Sequence, residues 1–187
     1  MASSRRDHLV DTALALFCRD GFHATGIDRI LAESGVAKMT LYKHFKSKDE
    51  LILAALRLRD ERWRNWFMRA VEGRAKEPRE RLLAVFDVLD ELIGGKDFSG
   101  CMFINASAEF ADHGDPIHCA AAENKRLVRG YLRDAAAAAG AGDPDALATE
   151  IALLVEGAIV LAHVAGQTDA AGRARKAAET LVARAIA

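Results

Sequence analysis

The run Lys38-Met39-Thr40-Leu41-Tyr42-Lys43-His44 gathers side chains suited to meeting a nucleic acid. Lysine ammonium groups neutralise phosphates, and the hydroxyls of Thr40 and Tyr42 can donate to phosphate oxygens. Met39 can touch a thymine methyl. His44 can contact phosphate or close the turn that follows, and Lys48 adds a further cation just beyond. These groups act together only if one rigid surface presents them. Leu41 and Phe45 fall four residues apart, so on a helix they face inward together and leave Lys38, Met39, Tyr42 and Lys43 pointing outward. A short helix of this kind fits the major groove.

The surrounding residues supply the elements that would hold that helix. Ile27, Ile30 and Leu31 recur at helical spacing, Thr25 offers a side-chain oxygen to cap their first turn, and Gly35 tolerates the left-handed backbone of a helix end. Two short helices about a glycine turn form a helix-turn-helix. Ahead of them Val10, Leu14 and Phe17 predict a bracing helix from about Arg5 to Asp20, ended by Gly21. Behind them Ser47 caps a long fourth helix running from Lys48 into the 70s, with Leu51, Ala55 and Leu58 on one side and Trp63, Trp66 and Phe67 further on.

Pro78 opens a fifth helix that is apolar around most of its circumference and therefore central. After the glycine-rich loop at 94–100, CMFINASAEF returns to helix and Gly114-Asp115-Pro116 breaks it. A seventh helix is expected from Pro116 to about Ala139, an eighth behind the Asp143-Pro144 cap, and a ninth from Asp169. No segment alternates like a strand. The fold class is all-α, an N-terminal three-helix helix-turn-helix module joined to a larger C-terminal helical bundle, about nine helices in all.

With 187 residues, 51% of them hydrophobic, the chain can bury a sizeable core. Its formal net charge of -1 argues against a sequence-indifferent DNA-coating protein, which would be far more basic. The basic character is local: from Arg5 to Lys48, Arg5, Arg6, Arg19, Arg29, Lys38, Lys43, Lys46 and Lys48 outnumber Asp7, Asp11, Asp20, Asp28 and Glu33. Cys18, Cys101 and Cys119 are odd in number and widely spaced, which points to free thiols in a reducing compartment. The N-terminus has no long apolar core, and no uncharged apolar run reaches the length of a membrane span. The expected protein is soluble and cytoplasmic, without a membrane partner.

The pattern Thr25, Ile30, Gly35-Val36, Thr40-Leu41-Tyr42, His44-Phe45, Lys48 and Glu50-Leu51 resembles the tetracycline-repressor (TetR) family of one-component transcriptional regulators. Two positions depart from its commonest form: Ala37 stands where serine is frequent, and Met39 where a small residue is frequent. The resemblance implies a DNA-binding domain over 1–48 and a ligand-binding and dimerisation domain over 49–187. It implies DNA contacts from Thr25, Lys38, Met39, Thr40, Tyr42, Lys43, His44 and Lys48, with Thr25 and Tyr42 on phosphates. It also implies a homodimer, released from a palindromic operator by a small-molecule effector and more readily a repressor than an activator. The sequence supports the dimer through helix eight, where Leu147, Ile151, Leu154, Ala158, Leu161 or Ala162, and Ala165 form a stripe, and through Ala174, Ala178, Leu181 and Ala185 on helix nine. Two-fold symmetry would set the reading helices about 34–36 Å apart, or a multiple of that.

Candidate effector-lining residues are Trp66, Phe67, Phe86, Leu89, Cys101, Phe103, Asn105 and Glu156, although apolar residues at helical spacing more often make ordinary core. Glu156 stands out as a carboxylate in the apolar run from Ile151 to Val164, where it needs a cation, a hydroxyl, a ligand or a rim arginine as partner. Cys101, at the expected start of helix six, reads either as a reactive thiol or as a small buried hydrophobe. His113 and His118 flank a proline break without metal-ligand spacing, so no metal is expected. No cofactor fingerprint and no Ser-His-Asp arrangement points to an enzyme.

Overall fold

A computed structural model describes residues 4–186. Every regular element among them is an α-helix: α1 (Arg5–Asp20), α2 (Ile27–Ser34), α3 (Lys38–His44), α4 (Lys48–Arg74), α5 (Pro78–Ile93), α6 (Met102–Glu109), α7 (Pro116–Ala138), α8 (Pro144–Ala165) and α9 (Ala170–Ala185). The chain forms two compact units, one made of the described residues up to Trp63 with Met102–Asn124, the other of Arg64–Cys101 with Lys125–Ala187.

Local chemistry sets most helix ends. The Ser4 hydroxyl accepts from the Asp7 N–H at 3.1 Å to start α1, and Gly21, at φ 84°, stops it with its N–H on the Phe17 carbonyl. Gly35 ends α2 in the left-handed region at φ 65°, its N–H 2.9 Å from the Leu31 carbonyl. Ser47 caps α4 as expected, accepting from Glu50 N–H at 3.2 Å while the Glu50 carboxylate accepts from Lys46 N–H at 2.7 Å. Asp143 does the same for α8, with Pro144 in its first turn.

The expected cap by Thr25 does not form. Gly26, one residue later, holds the N-cap position of α2 without a side-chain bond. Thr25 is buried and its Oγ1 donates to the Gly21 carbonyl at 2.7 Å, so it closes the turn leaving α1 rather than starting α2.

In the first unit α1 packs on both α2 and α3 over a core that includes Leu9, Leu16, Phe22, Ile30, Leu41 and Leu51. In the second, α5, α8 and α9 pack on one another, and the expected central character of α5 appears in the burial of Leu82, Val85, Phe86, Val88 and Leu89. The inward face of α8 is Leu147, Ala148, Ile151, Val155, Ala158, Ile159 and Ala162. Of the expected stripe, Leu147, Ile151, Ala158 and Ala162, the alternative to Leu161, lie on that face; Leu154 is half-buried, Leu161 and Ala165 are exposed, and Val155 and Ile159 take inward places instead. On α9 the buried row is Ala170, Ala171, Ala174, Ala178 and Val182, so Val182 takes the inward place expected of Leu181.

Candidate nucleic-acid interface

The helix-turn-helix is held from behind by α1. His8 Nε2 lies 3.1 Å from the Ser34 carbonyl, and buried Ser34 accepts from Val36 N–H at 3.3 Å, which fixes the turn between α2 and α3. The Ala37 carbonyl accepts from Thr40 N–H at 2.8 Å and Leu41 N–H at 3.2 Å, starting α3. Leu41 and Phe45 then anchor it, with 0% and 3% of their surface exposed. One face of α3 is thereby committed to the core.

The opposite face carries the expected reading residues. Met39 is 83% exposed and Tyr42 47%; Lys38, Lys43 and His44 are exposed, and Thr40 is half-buried. The cations differ. Lys38 Nζ lies 3.4 Å from Asp28 Oδ1, so its charge is partly answered, whereas no ion pair involves Lys43 among the described residues. Lys48, on the first turn of α4, is half-buried and donates from Nζ to the His23 carbonyl at 3.4 Å. A carbonyl does not neutralise it. Thr25 is drawn inside, its hydroxyl on Gly21, so a phosphate contact from its side chain would require the turn to open. Arg6, absent from the expected set, lays its guanidinium 5.4 Å from the Phe45 ring centroid and so brings another cation to the end of α3.

The effector candidates divide between the units. Phe67, Phe86 and Leu89 are buried in the second unit and Trp66 is 42% exposed there, with Phe67 edge-on to Tyr131 at 6.3 Å. Phe103 and Asn105 belong to the first unit. Phe103 helps line a cleft of about 340 Å³ with Leu56, Asp60, Cys119 and Asn124. Buried Asn124 donates to Asp60 Oδ1 there at 2.8 Å.

Cys101 and Glu156 are brought together by a residue absent from the sequence reading. Lys125 Nζ donates to both Glu156 carboxylate oxygens at 2.7 Å and to Cys101 Sγ at 3.3 Å. The partner of Glu156 is therefore a lysine rather than an arginine. Burial alone would pull the Lys125 ammonium down, but Cys101 and Glu156 outweigh it and raise its pKa above the usual 10.5. Cys101 is half-buried and bonded to a cation, an environment different from an inert apolar site. Cys18, by contrast, is pushed above the usual thiol value by burial, with Arg59 opposing, which disfavours its thiolate. His113 and His118 stack edge-on at 4.5 Å, and His118 Nδ1 lies 2.7 Å from the Phe110 carbonyl. Among the described residues no cluster of three His, Cys, Asp or Glu could hold a metal ion.

An exposed, mixed basic and apolar face on the second helix of a helix-turn-helix defines a DNA-binding protein. The family model for bacterial regulatory proteins of the tetR family matches residues 9–55, and the one for the tetracyclin repressor-like C-terminal domain matches 78–178. A TetR-family transcriptional regulator from Streptomyces coelicolor has the same fold with a TM-score of 0.89 at 30% identity, over 98% of this chain and 96% of that one. The HTH-type transcriptional regulator YjdC of Escherichia coli is 23% identical over 83% of this chain and 81% of its own. The HTH-type transcriptional repressor NemR of the same species is 26% identical over 70% and 66%. The chain belongs to the TetR family of transcriptional regulators.

Proposed function

We propose that this regulator acts as a homodimeric repressor that reads a palindromic operator with α3 and is released by a small-molecule effector. Residues 1–48 serve as the reading domain and 49–187 as the effector-binding and dimerisation domain. The observation that carries the reading is the outer face of α3, where Met39 stands 83% exposed beside Lys38 and Lys43 while Leu41 and Phe45 hold the helix down. Met39 and Lys43 read base edges, Tyr42, His44 and Lys48 bind phosphates, and Lys38 and Thr40 support them. Thr25 acts through the turn it closes.

Dimerisation is supported by α8. Leu153, Val160, Leu161 and Val164 are 68%, 41%, 47% and 78% exposed, an apolar row unusual on a free surface and suited to a second copy of the same helix. The repressor sign is supported by the likeness to NemR, a transcriptional repressor, and by the fact that occluding a promoter needs no contact with polymerase. A DNA-reading protein of this kind works in the cytoplasm.

For the effector, the second unit holds the aromatic and apolar side chains Trp66, Phe67, Phe86 and Leu89, and also a polar group, Lys125 with Glu156 and Cys101, that is already paired within itself. A ligand arriving there meets no unanswered charge, which favours an uncharged, largely apolar molecule or one that reacts with the Cys101 thiol. Phe103 and Asn105 lie in the other unit and are left out of this group. The test is selection of duplexes from a random pool, followed by anisotropy titration and light scattering of the complex. A palindrome bound by two chains is expected; a protomer alone on DNA, or no preferred duplex, refutes it.

A further inference from the structure

We propose that Glu109 is a positioning residue for operator recognition: from the end of α6 its carboxylate fixes the turn between α1 and α2, and so the pose in which α3 is offered to DNA. The proposal rests on the DNA-reading function above. Three donors converge on this carboxylate. Phe22 N–H donates to Oε1 at 2.9 Å, His23 N–H to Oε2 at 2.6 Å, and the His23 ring nitrogen Nδ1 lies 2.7 Å from Oε2. The two amides belong to consecutive residues of one turn, so the carboxylate grips backbone, and hydrogen bonds to a charged acceptor are the strong ones.

The turn is shaped for this approach. Gly21 sits at φ +84°, and a Cβ added there would stand 3.0 Å from Glu109 Oε1. The neighbouring residue adds an apolar grip: the Phe110 ring stacks on His23 with centroids 4.8 Å apart and meets Phe22 edge-on at 6.1 Å. From the other side Thr25 Oγ1 donates to the Gly21 carbonyl at 2.7 Å, and Lys48 Nζ to the His23 carbonyl at 3.4 Å. The ends of α1 and α6 and the starts of α2 and α4 thus meet on residues 21–25. Since α2 begins immediately afterwards and passes its direction to α3 through the Gly35 turn, loosening this knot swings the reading face without altering a residue on it.

The test uses Glu109→Gln in the full chain. The amide keeps the side chain's size but replaces one acceptor by a donor that faces N–H donors. Affinity is measured for a selected operator and for an unrelated duplex of equal length, well below the melting temperature, together with hydrogen exchange at Phe22 and His23. Operator affinity is expected to fall about tenfold, the scale of one charge-assisted hydrogen bond, while the unrelated duplex, held by the unchanged lysines, stays within about twofold. Exchange at the two amides should quicken. Equal loss on both duplexes, or an operator affinity matching the native chain, overturns the proposal. Should Glu109→Gln fail to fold, His23→Ala decides: it removes the ring's contacts with Glu109 and Phe110 and keeps both amide bonds, and a smaller loss confined to the operator is expected, an unchanged operator affinity being the refuting result. A native chain that prefers no duplex removes the DNA-reading function itself, and the proposal falls with it; a native preference with indifferent variants removes the proposal alone.

Discussion

Replacing Lys48 by alanine tests most directly how the reading face meets DNA. Lys48 opens α4, where Ser47 and Glu50 hold the first turn and the helix N-terminus adds its own positive end. Its Nζ rests 3.4 Å from the His23 carbonyl, a neutral acceptor that orients the ammonium without cancelling it. Lys38 is different, because Asp28 stands 3.4 Å away and partly cancels its charge before DNA arrives. In a two-fold complex Lys48→Ala removes two phosphate contacts, so the slope of log K against log salt should flatten by about 1.8, at roughly 0.9 per contact. Over a fourfold rise in salt from about 50 to about 200 mM, the native chain should then lose about 12-fold more affinity than the variant. Lys38→Ala should flatten the slope by less. The assay is anisotropy of a labelled operator, and of an unrelated duplex, across a salt series. An unchanged slope, or a loss confined to one operator sequence, would show that Lys48 is not a phosphate contact.

The other predictions concern base reading, assembly, acid and the thiol. Met39→Ala should leave the salt slope unaltered but cost about 1 kcal/mol of discrimination at one base pair per half-site, measured against a panel of single-base operator variants; uniform loss across the panel refutes base reading. Val164→Asp, with Val164 78% exposed in the protomer, should change protomer stability by no more than about 0.5 kcal/mol yet turn the dimer into monomer by light scattering, and an intact dimer refutes the α8 interface. Burial works to raise the Glu109 carboxyl, but the Phe22 and His23 amides and the His23 ring outweigh it and hold it below its ordinary 4.5. Its contribution to stability is therefore in full force above 4.5 and fades as pH falls through the folded value, so acid melting curves of the native chain should drop more steeply than those of Glu109→Gln; parallel curves count against the clamp. Cys101→Ser should no longer release operator when treated with a thiol-reactive electrophile, and normal release by this variant ends the thiol-sensing reading.

What was legible in the sequence was whatever chemistry acts over a few residues. Gly21, Gly35, Ser47 and Asp143 end or begin helices through bonds three or four residues long, Pro78 and Pro144 suit a first turn by their fixed φ, and the expected boundaries at Arg5, Asp20, Lys48, Pro78 and Pro144 coincide with those in the structure. The inward pair Leu41 and Phe45 was equally legible, because one turn of helix decides it. Thr25 failed by a single residue. Its hydroxyl could accept from an N–H of the following helix or donate to a carbonyl of the preceding turn, and only the path of the chain after Gly21 decides that it donates to Gly21.

Long-range pairing was not legible. Glu109 meets Phe22 and His23, and Lys125 meets Cys101 and Glu156, across separations that leave no periodic trace in the sequence. The exposed row on α8 was hidden for another reason. With apolar residues on both an inward and an outward face, the row from Leu147 spaced alternately four and three residues runs along one edge of the inward face, and its Leu161 and Ala165 lie outside the core. That ambiguity is itself physical. A helix serving one core shows a single stripe, whereas one that must also meet a second copy carries two, and their overlap is what erases the period. Loss of amphipathic contrast in a helix that carries Glu156, half-buried and paired to Lys125, with Leu153 and Val164 open to the outside is thus a mark of double duty, which burial in the protomer separates and composition cannot.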